Sequence, residues 1–333
     1  MAGVGSQLSQ PPLALLNTAN AVTRKYYHPR MIDQYGRPSP TYWRLIKRSR
    51  RFDGGGSIVY PLAFQEEVAG GAYWGAQLLS VLNEDSVQPA ELQWKSYYQS
   101  ITVPVLDVLL NEGAGRAIDL VTIKQEQAMV SILQKLCRAL YGVAPQNTSI
   151  DFDSVAAALA AAGGSYAQVT LGGANSWWLC NGGVGPVTMA AAPGSTGAAI
   201  NLAGIQGAFG QATFGNEEPD TIITTQAGYN LFLGLLIGNQ RYAQDAEITG
   251  AGFRHVLFNG APVLHDQFVP AGQMVMLNTK YVFLFFHRND YFTRDPWIQP
   301  TDQRVIVSHI YVTGNLVFLS LRQHSLITTI TGA

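Results

Sequence analysis

The strongest hydrophobic periodicity in the chain lies in AIDLVTIKQEQAMVSILQKLCRALYG, where Ile118, Val121, Thr122, Gln125, Met129, Ile132, Leu133, Leu136 and Leu140 recur at steps of three and four. That spacing lines one face of an α-helix and predicts a helix over 117–141, about 24 residues and on the order of 36 Å at 1.5 Å per residue. Lys135 and Arg138 suit the carboxyl end of its dipole, and Gly142 is placed to cap it. No catalytic spacing sits on it, so it reads as a structural spine.

Upstream the pattern differs. Residues 1–53 interleave aromatic and basic residues in RKYYHPR and TYWRLIKRSRRF, punctuated by Pro29, Pro38 and Pro40. This predicts an extended arm with a short helix near Thr41–Arg48 that must lie on some other surface. DGGGSIVYPLAF (53–64) reads as a glycine hinge and a strand, and ELQWKSYYQSITVPV (91–105) as a second strand rich in aromatic and β-branched residues. GGAYWGAQLLSVLN between them predicts a short helix at the tip. A two-stranded excursion of this kind is marginal alone in water and needs a neighbouring surface.

Downstream of the spine, NTSIDFDSVAAALAAAGG predicts an Asp/Ser-capped helix, WWLCNGGVGPVTMAAAPGSTG a long aperiodic loop, and INLAGIQGAFGQATFG a helix with small residues on one side. EPDTIITTQAGYNLFLGLLI reads as a strand entering an amphipathic helix. Strands follow at RHVLFNGAPVLHD, QMVMLNT and YVFLFFH and, after a loop RNDYFTRDPWIQPTDQ, through RVIVSHIYVTGNLVFLSLRQHSLITTI. Helices and strands do not alternate in the doubly wound manner, and no repeat of solenoid or propeller period is visible. The fold class is α+β.

Composition adds partners to this picture. A chain of 333 residues can bury a substantial core, yet charged residues make up only 13% of it, against a usual ~25%. A surface so poor in charge points to coverage by something else. Residues 1–53 hold nine Lys/Arg against Asp33 and Asp53, a local charge of +7, and the remainder carries −8. A basic arm on a mildly acidic body is a partner signal for a polyanion or an acidic neighbouring subunit, with a solvated tail as the plain alternative. Arg44, Lys47, Arg48, Arg50 and Arg51 are the candidate contacts to DNA or to another subunit. With no base-reading motif, contact to DNA would be to its backbone and steeply salt-dependent. Cys137 and Cys180 lack CxxC spacing and are too few for a disulfide framework, which fits a reducing compartment. Neither a signal-peptide pattern nor an uninterrupted apolar window of membrane-spanning length is visible, so a soluble, unsecreted protein with no membrane partner is expected.

Candidate chemistry is sparse. His265 stands beside Asp266, but adjacent residues on a strand face opposite sides and cannot orient one another, so the pair reads as the end of a strand. No GxSxG or HExxH motif is present, and the six histidines never occur at ligand spacing. Gly204, Gly207, Gly210 and Gly215 miss the dinucleotide-binding spacing. Asp151 and Asp153 suit a helix N-cap, and Glu217, Glu218 and Asp220 a solvated turn before a strand. No catalytic residue, cofactor or metal site is expected. A hydrolase using His265 or His287 with an unrecognised nucleophile is the alternative from the enzyme class.

In order, the parts are a basic arm, a long two-stranded excursion, a spine helix ending in LYG, a glycine- and alanine-rich α+β region and a final strand. This layout resembles the major capsid protein of tailed bacteriophages, the Hong Kong 97 type fold. EPDTIITTQAGYNLF, FNGAPVLHDQFVPAGQMVMLNTKYVFLFFH and the closing VSHIYVTGNLVFLSLRQHSLITTITGA are its most specific pieces. The resemblance implies a subunit that self-assembles into hexamers and pentamers of an icosahedral head enclosing double-stranded DNA, made in the host cytoplasm and resident in the virion. It implies an N-terminal arm at 1–53, an extended loop at 54–106, a peripheral domain at 107–148 with 291–333, and an axial domain at 149–290. By the same likeness, residues 1–53 are too short to include a fused scaffolding domain, so a separate scaffolding protein and a portal are expected partners. Some relatives cross-link lysine to asparagine; Lys95 is the sole lysine of the proposed loop, and no reacting partner is identified. An encapsulin-like compartment shell shares the fold and is the nearest alternative.

Overall fold

Two sheets carry the fold, and most of their strands come from residues after 220. The computed structural model describes residues 39–67, 69–79, 81, 85–111, 120–143, 150–188, 198–236 and 256–331. The described residues begin with α1 (Pro40–Ile46) and β1 (Arg50–Phe52), followed by β2 (Ile58–Ala63), β3 (Val87–Leu92), β4 (Lys95–Pro104), α2 (Val105–Leu110), the spine helix α3 (Leu120–Tyr141) and a single turn, α4 (Val155–Ala158). Short strands β5 (Ser165–Tyr166), β6 (Val169–Thr170), β7 (Val187–Thr188) and β8 (Ala198–Ala199) precede α5 (Leu202–Ala212), β9 (Thr221–Thr224) and α6 (Gln226–Leu236). Then come β10 (Val256–Phe258), β11 (Ala261–His265), β12 (Met274–Leu277), β13 (Val282–Arg294), β14 (Val305–Phe318), β15 (Ser325–Thr328) and β16 (Ile330–Thr331).

The four-stranded sheet runs β1-β13-β14-β4. Its axis is the antiparallel β13–β14 pair, which starts at Val282 opposite Phe318 and continues to Arg294 opposite Ile310. On the other side of β14, β4 pairs antiparallel from Lys95 opposite Gly314 to Pro104 opposite Val305. Gly314 is placed by a close approach: a Cβ there would lie 2.4 Å from the Phe285 carbonyl oxygen and 2.8 Å from the Phe286 ring, which crosses over it.

The six-stranded sheet runs β10-β11-β9-β12-β15-β7. β9 and β12 are buried at every position, as expected of strands covered on both faces. Alternation then divides their side chains between two cores. Ile222, Met274, Met276 and Ile327 pack with Ile205, Phe209 and Phe232 of α5 and α6, whereas Ile223, Val275, Leu277 and Leu326 join the main core with the end of the spine helix and the four-stranded sheet.

The spine helix lies where its periodicity puts it, with residues 117–119 outside the described ones. It ends at Tyr141 in a Schellman cap: Gly142 has φ 71°, its N–H donates to Ala139 and the Val143 N–H to Arg138. Only the half from Ala128 onward is well buried, and Met129, expected in the apolar stripe, is exposed. Among the described residues, that part of the helix face is only partly covered.

Other expectations shift. ELQWKSYYQSITVPV is two strands rather than one, broken at Gln93 and Trp94: β3 returns along β2, while β4 enters the four-stranded sheet. The expected tip helix is absent among described residues 70–79 and 81, because three glycines loosen the backbone and the apolar side chains have no surface to bury against. RNDYFTR belongs to β13 and not to a loop; the pairing with β14 survives a bulge between Phe286 and Tyr291. The helix after Asp153 is only one turn, capped by Ser154, whose Oγ accepts from the Ala157 N–H at 3.2 Å. The division at 290/291 falls inside β13, and β15 pairs within the six-stranded sheet.

Two expected outcomes follow from this packing. Gly314→Ala should destabilise by roughly 1–3 kcal/mol through overpacking, read as a lowered denaturant midpoint at unchanged slope. His324 is fully buried, its Nδ1 accepting from the Asn278 N–H at 3.1 Å, and burial pushes its pKa from 6.5 down to about 3. The unfolded chain therefore takes up the proton first. The stability that neutral His324 contributes is complete above pH 6.5 and is lost as pH falls toward 3. His324→Asn, which keeps an acceptor and cannot charge, should flatten the acid limb of an equilibrium-unfolding profile.

Candidate functional site

The basic segment is held in place by its first residues. Ser39 caps α1 by accepting from the Tyr42 N–H at 3.2 Å, and Pro40 occupies the first helical position, where no N–H is needed. Ser39, Thr41 and Leu45 are buried. The Ser39 hydroxyl donates to Asp266 Oδ2, and the Tyr141 hydroxyl lies 3.3 Å from that oxygen and 2.6 Å from Thr41 Oγ1. The other carboxylate oxygen accepts from the Phe268 N–H at 3.1 Å. Asp266, 1% exposed, thus joins the start of the basic segment, the last residue of the spine helix and the end of β11. Burial, reinforced by this carboxylate, holds the Tyr141 hydroxyl well above the usual phenol range and pushes the Cys137 thiol up to about 12.

A second carboxylate grips the same helix indirectly. Asp220 accepts from the Thr279 N–H at 3.0 Å and from the hydroxyls of Thr279 and Thr221 at 2.5 and 2.9 Å, and its backbone oxygen accepts from Arg44 Nη2 at 3.3 Å. Asp220 is therefore a half-buried staple and not part of a solvated turn; Glu217 is bonded to Lys280, and Glu218 is the exposed carboxylate there. Asp151 and Asp153 likewise serve contacts other than the expected cap. Tyr97 donates to Asp151 at 2.9 Å, while Asp153 accepts from Asn315 Nδ2 at 2.5 Å.

The five candidate basic residues are brought onto one short run. Arg50 and Arg51 lie on β1, parallel to β13, with their guanidinium carbons 4.3 Å and 4.1 Å from the Phe283 and Tyr291 ring centres. Lys47 Nζ sits 3.6 Å over Trp43, and Arg48 is exposed. Aromatic faces position these cations without neutralising them. Arg24, Lys25, Arg30 and Arg37 lie outside the described residues.

The extended hairpin is the other surface feature. β2 and β3 pair antiparallel from Ile58 opposite Leu92 to Ala63 opposite Val87. Ile58, Tyr60, Leu62, Ala90 and Leu92 face the body, and Tyr60 donates to the Phe318 carbonyl at 3.0 Å. The opposite face exposes Val59, Pro61, Ala63, Val87 and Pro89. Toward the tip Trp74 is 90% and Leu78 97% exposed. α2 adds exposed Leu106, Leu109 and Leu110.

No catalytic constellation forms among the described residues. β11 ends at His265 as expected, but its ring packs against Tyr229 with centroids 5.7 Å apart, and the partners of Asp266 are Ser39, Tyr141 and Phe268. His287 meets Trp94 edge-on, and its Nδ1 accepts from the Asn289 N–H at 3.3 Å. Burial also pushes the Cys180 thiol up to about 12, so neither cysteine is a thiolate near neutral pH. A cleft of about 300 Å³ between β4 and the spine helix is lined by residues including Tyr97, Tyr98, Lys135, Arg138 and Asp151, with no histidine or cysteine. No group of His, Cys, Asp and Glu among the described residues could hold a metal ion, and no helix among them is long and apolar enough to cross a membrane.

The Asp266 junction was missed by sequence reasoning, which treated this residue only as a partner for its neighbour. Its signal is an acidic residue at the end of an apolar strand, which needs donors from elsewhere if buried. Asp266→Ala should cost about 3 kcal/mol by leaving buried donors without an acceptor. It should also speed amide exchange across 39–46 more than across β14, as read by mass spectrometry.

No protein-family model and no curated protein matches the chain. Solved structures do. A capsid asymmetric unit of cyanophage A-1(L) matches with a TM-score of 0.68 at 16% identity, over 95% of this chain and 99% of that one. The capsid of a native GTA particle gives 0.64 at 11%, over 98% and 100%. An encapsulin complex from Synechococcus elongatus gives 0.58 at 8%, over 97% and 96%. The fold of this chain is that of the tailed-phage major capsid proteins, the Hong Kong 97 type.

Proposed function

We propose that this chain is the major capsid protein of a tailed-phage-like particle, a non-enzymatic subunit that self-assembles into the hexamers and pentamers of an icosahedral head enclosing double-stranded DNA. The observation that carries the reading is the extended hairpin: a capsid fold that leaves an apolar strand face, Trp74 and Leu78 in water makes sense where another copy covers them. The partly covered stretch of the spine helix and the low charge content agree with it. Much of the stability of such a subunit would then come from assembly.

On this reading residues 1–53 are the arm, 54–106 the extended loop, 107–148 with 291–333 the peripheral domain and 149–290 the axial domain. We would draw two of these borders differently, with 282–318, whose strands pair with each other, in the peripheral domain and 325–328, which pairs with β12, in the axial one. Arg44, Lys47, Arg48, Arg50 and Arg51 would meet packaged DNA or a neighbouring subunit. A separate scaffolding protein and a portal would be further partners, with assembly in the host cytoplasm and residence in the virion.

The encapsulin match supports a second reading, a compartment shell that encloses protein. Electron microscopy of particles from the native source decides between them. Heads filled with DNA are expected; small particles packed with protein and free of DNA would overturn the genome-container reading, and a stable monomer with measurable turnover would overturn the shell itself. His265→Ala should leave assembly intact. Replacing Arg48, Arg50 and Arg51 with Gln should lower the salt slope of genome retention by about 1 for each phosphate no longer neutralised. Failure of assembly in that variant would assign them to a subunit contact instead.

A further inference from the structure

The hairpin of β2 and β3 projects two strand edges, and both carry a proline at the middle. In an antiparallel pair, opposed residues alternate between those that exchange hydrogen bonds and those whose N–H and C=O groups point outward. The phase is fixed here by two bonds. The Phe64 N–H donates to the Ser86 carbonyl at 3.0 Å, continuing the register as a bonded pair, and the Glu91 N–H points away from β2, donating to the Ala167 carbonyl at 3.0 Å. Counting by twos, the outward donors belong to 59, 61 and 63 on one edge and to 87, 89 and 91 on the other. Pro61 and Pro89, directly opposite each other, hold the central position of each set and have no N–H to offer.

An incoming strand would therefore meet a missing donor and a pyrrolidine ring at the centre of either edge. On the β3 edge the Glu91 donor is also already used. We propose that Pro61 and Pro89 determine the specificity of self-association: they close both edges of the hairpin to strand addition, so that a second copy of this chain can meet the hairpin through its side chains but cannot extend its ladder. Such protection matters most on an isolated two-stranded ladder with an apolar outer face, the arrangement most prone to edge-to-edge association. The inference rests on the self-association reading but is tested without reference to closed shells.

The test restores the donors in the full chain with Pro61→Ala, Pro89→Ala and the double substitution, followed by sedimentation velocity and thioflavin T fluorescence at concentrations below shell assembly. One reopened edge can pair only with another such edge, so Pro61→Ala should double the sedimenting mass. Two reopened edges propagate, so the double variant should form open-ended polymers with a severalfold rise in thioflavin T signal. Adding Ala63→Pro and Val87→Pro to the double variant removes neighbouring outward donors and should return both readouts to the wild-type level. That rescue separates edge closure from any folding defect of the alanine variants. Wild-type sedimentation and fluorescence in the double variant, or polymers that persist in the rescue variant, would overturn the proposal. A wild-type chain that never forms closed particles would instead count against the shell reading alone.

Discussion

The pairing of β13 with β14 is the interaction on which the other parts depend. Its bonds set the plane to which β1 adds on one side and β4 on the other, and the end of β14 supplies the anchors for the excursions. The Phe318 carbonyl holds Tyr60, the Leu316 carbonyl holds Tyr166 at 3.0 Å, and Asn315 bridges Gln93 and Asp153 at 2.9 and 2.5 Å. Asn315 is fully buried and uses both ends of its amide, its oxygen accepting from the Asp153 and Leu316 N–H groups. A hairpin, a small ladder and the loop before α4 are thereby referred to one strand end, and a displacement of β14 would be felt in all three.

Charge plays its part inside the fold through neutral donors. Asp266, Asp220 and Asp153 accept mainly from hydroxyls, amides and backbone N–H groups, whereas the ion pairs Lys280–Glu217 and Arg288–Asp53 lie at exposed positions, where such pairs contribute little. Lys47, Arg50 and Arg51 are stacked on aromatic rings, and Arg44 donates to a backbone carbonyl. It also ties the path of the basic segment to the end of the spine helix, because Asp266 holds Ser39 and Tyr141 together.

Periodicity made the regular elements legible. The 3.6-residue stripe from Ile118 to Leu140 located the spine helix, Gly142 its end, and EPDTIITTQAGYNLF a strand entering a helix. Alternation failed where strand boundaries depended on partners: nothing local breaks the chain at Gln93, and only the ladder with Val312, Tyr311 and Ile310 carries β13 past Arg288. Tip residues 70–79 showed apolar spacing, but spacing predicts a helix only when a surface exists to receive it. The candidate arm contacts could be read from local charge, whereas the Asp266 and Asp220 staples could not, since their donors at Ser39, Tyr141 and Thr279 are far away in sequence.

The order of strands has a consequence for synthesis. β14 lies inside the four-stranded sheet, and β15 lies between β12 and β7 inside the six-stranded one. The four-stranded sheet cannot close until the chain has been made to residue 318, nor the six-stranded one until residue 328, and long-range pairings of this kind form late in folding. A chain stalled before that point presents unpaired interior strands, which chaperones and proteases recognise, and lacks the frame from which the hairpin projects. The completed surface of the fold is thus withheld until the last strands have been made.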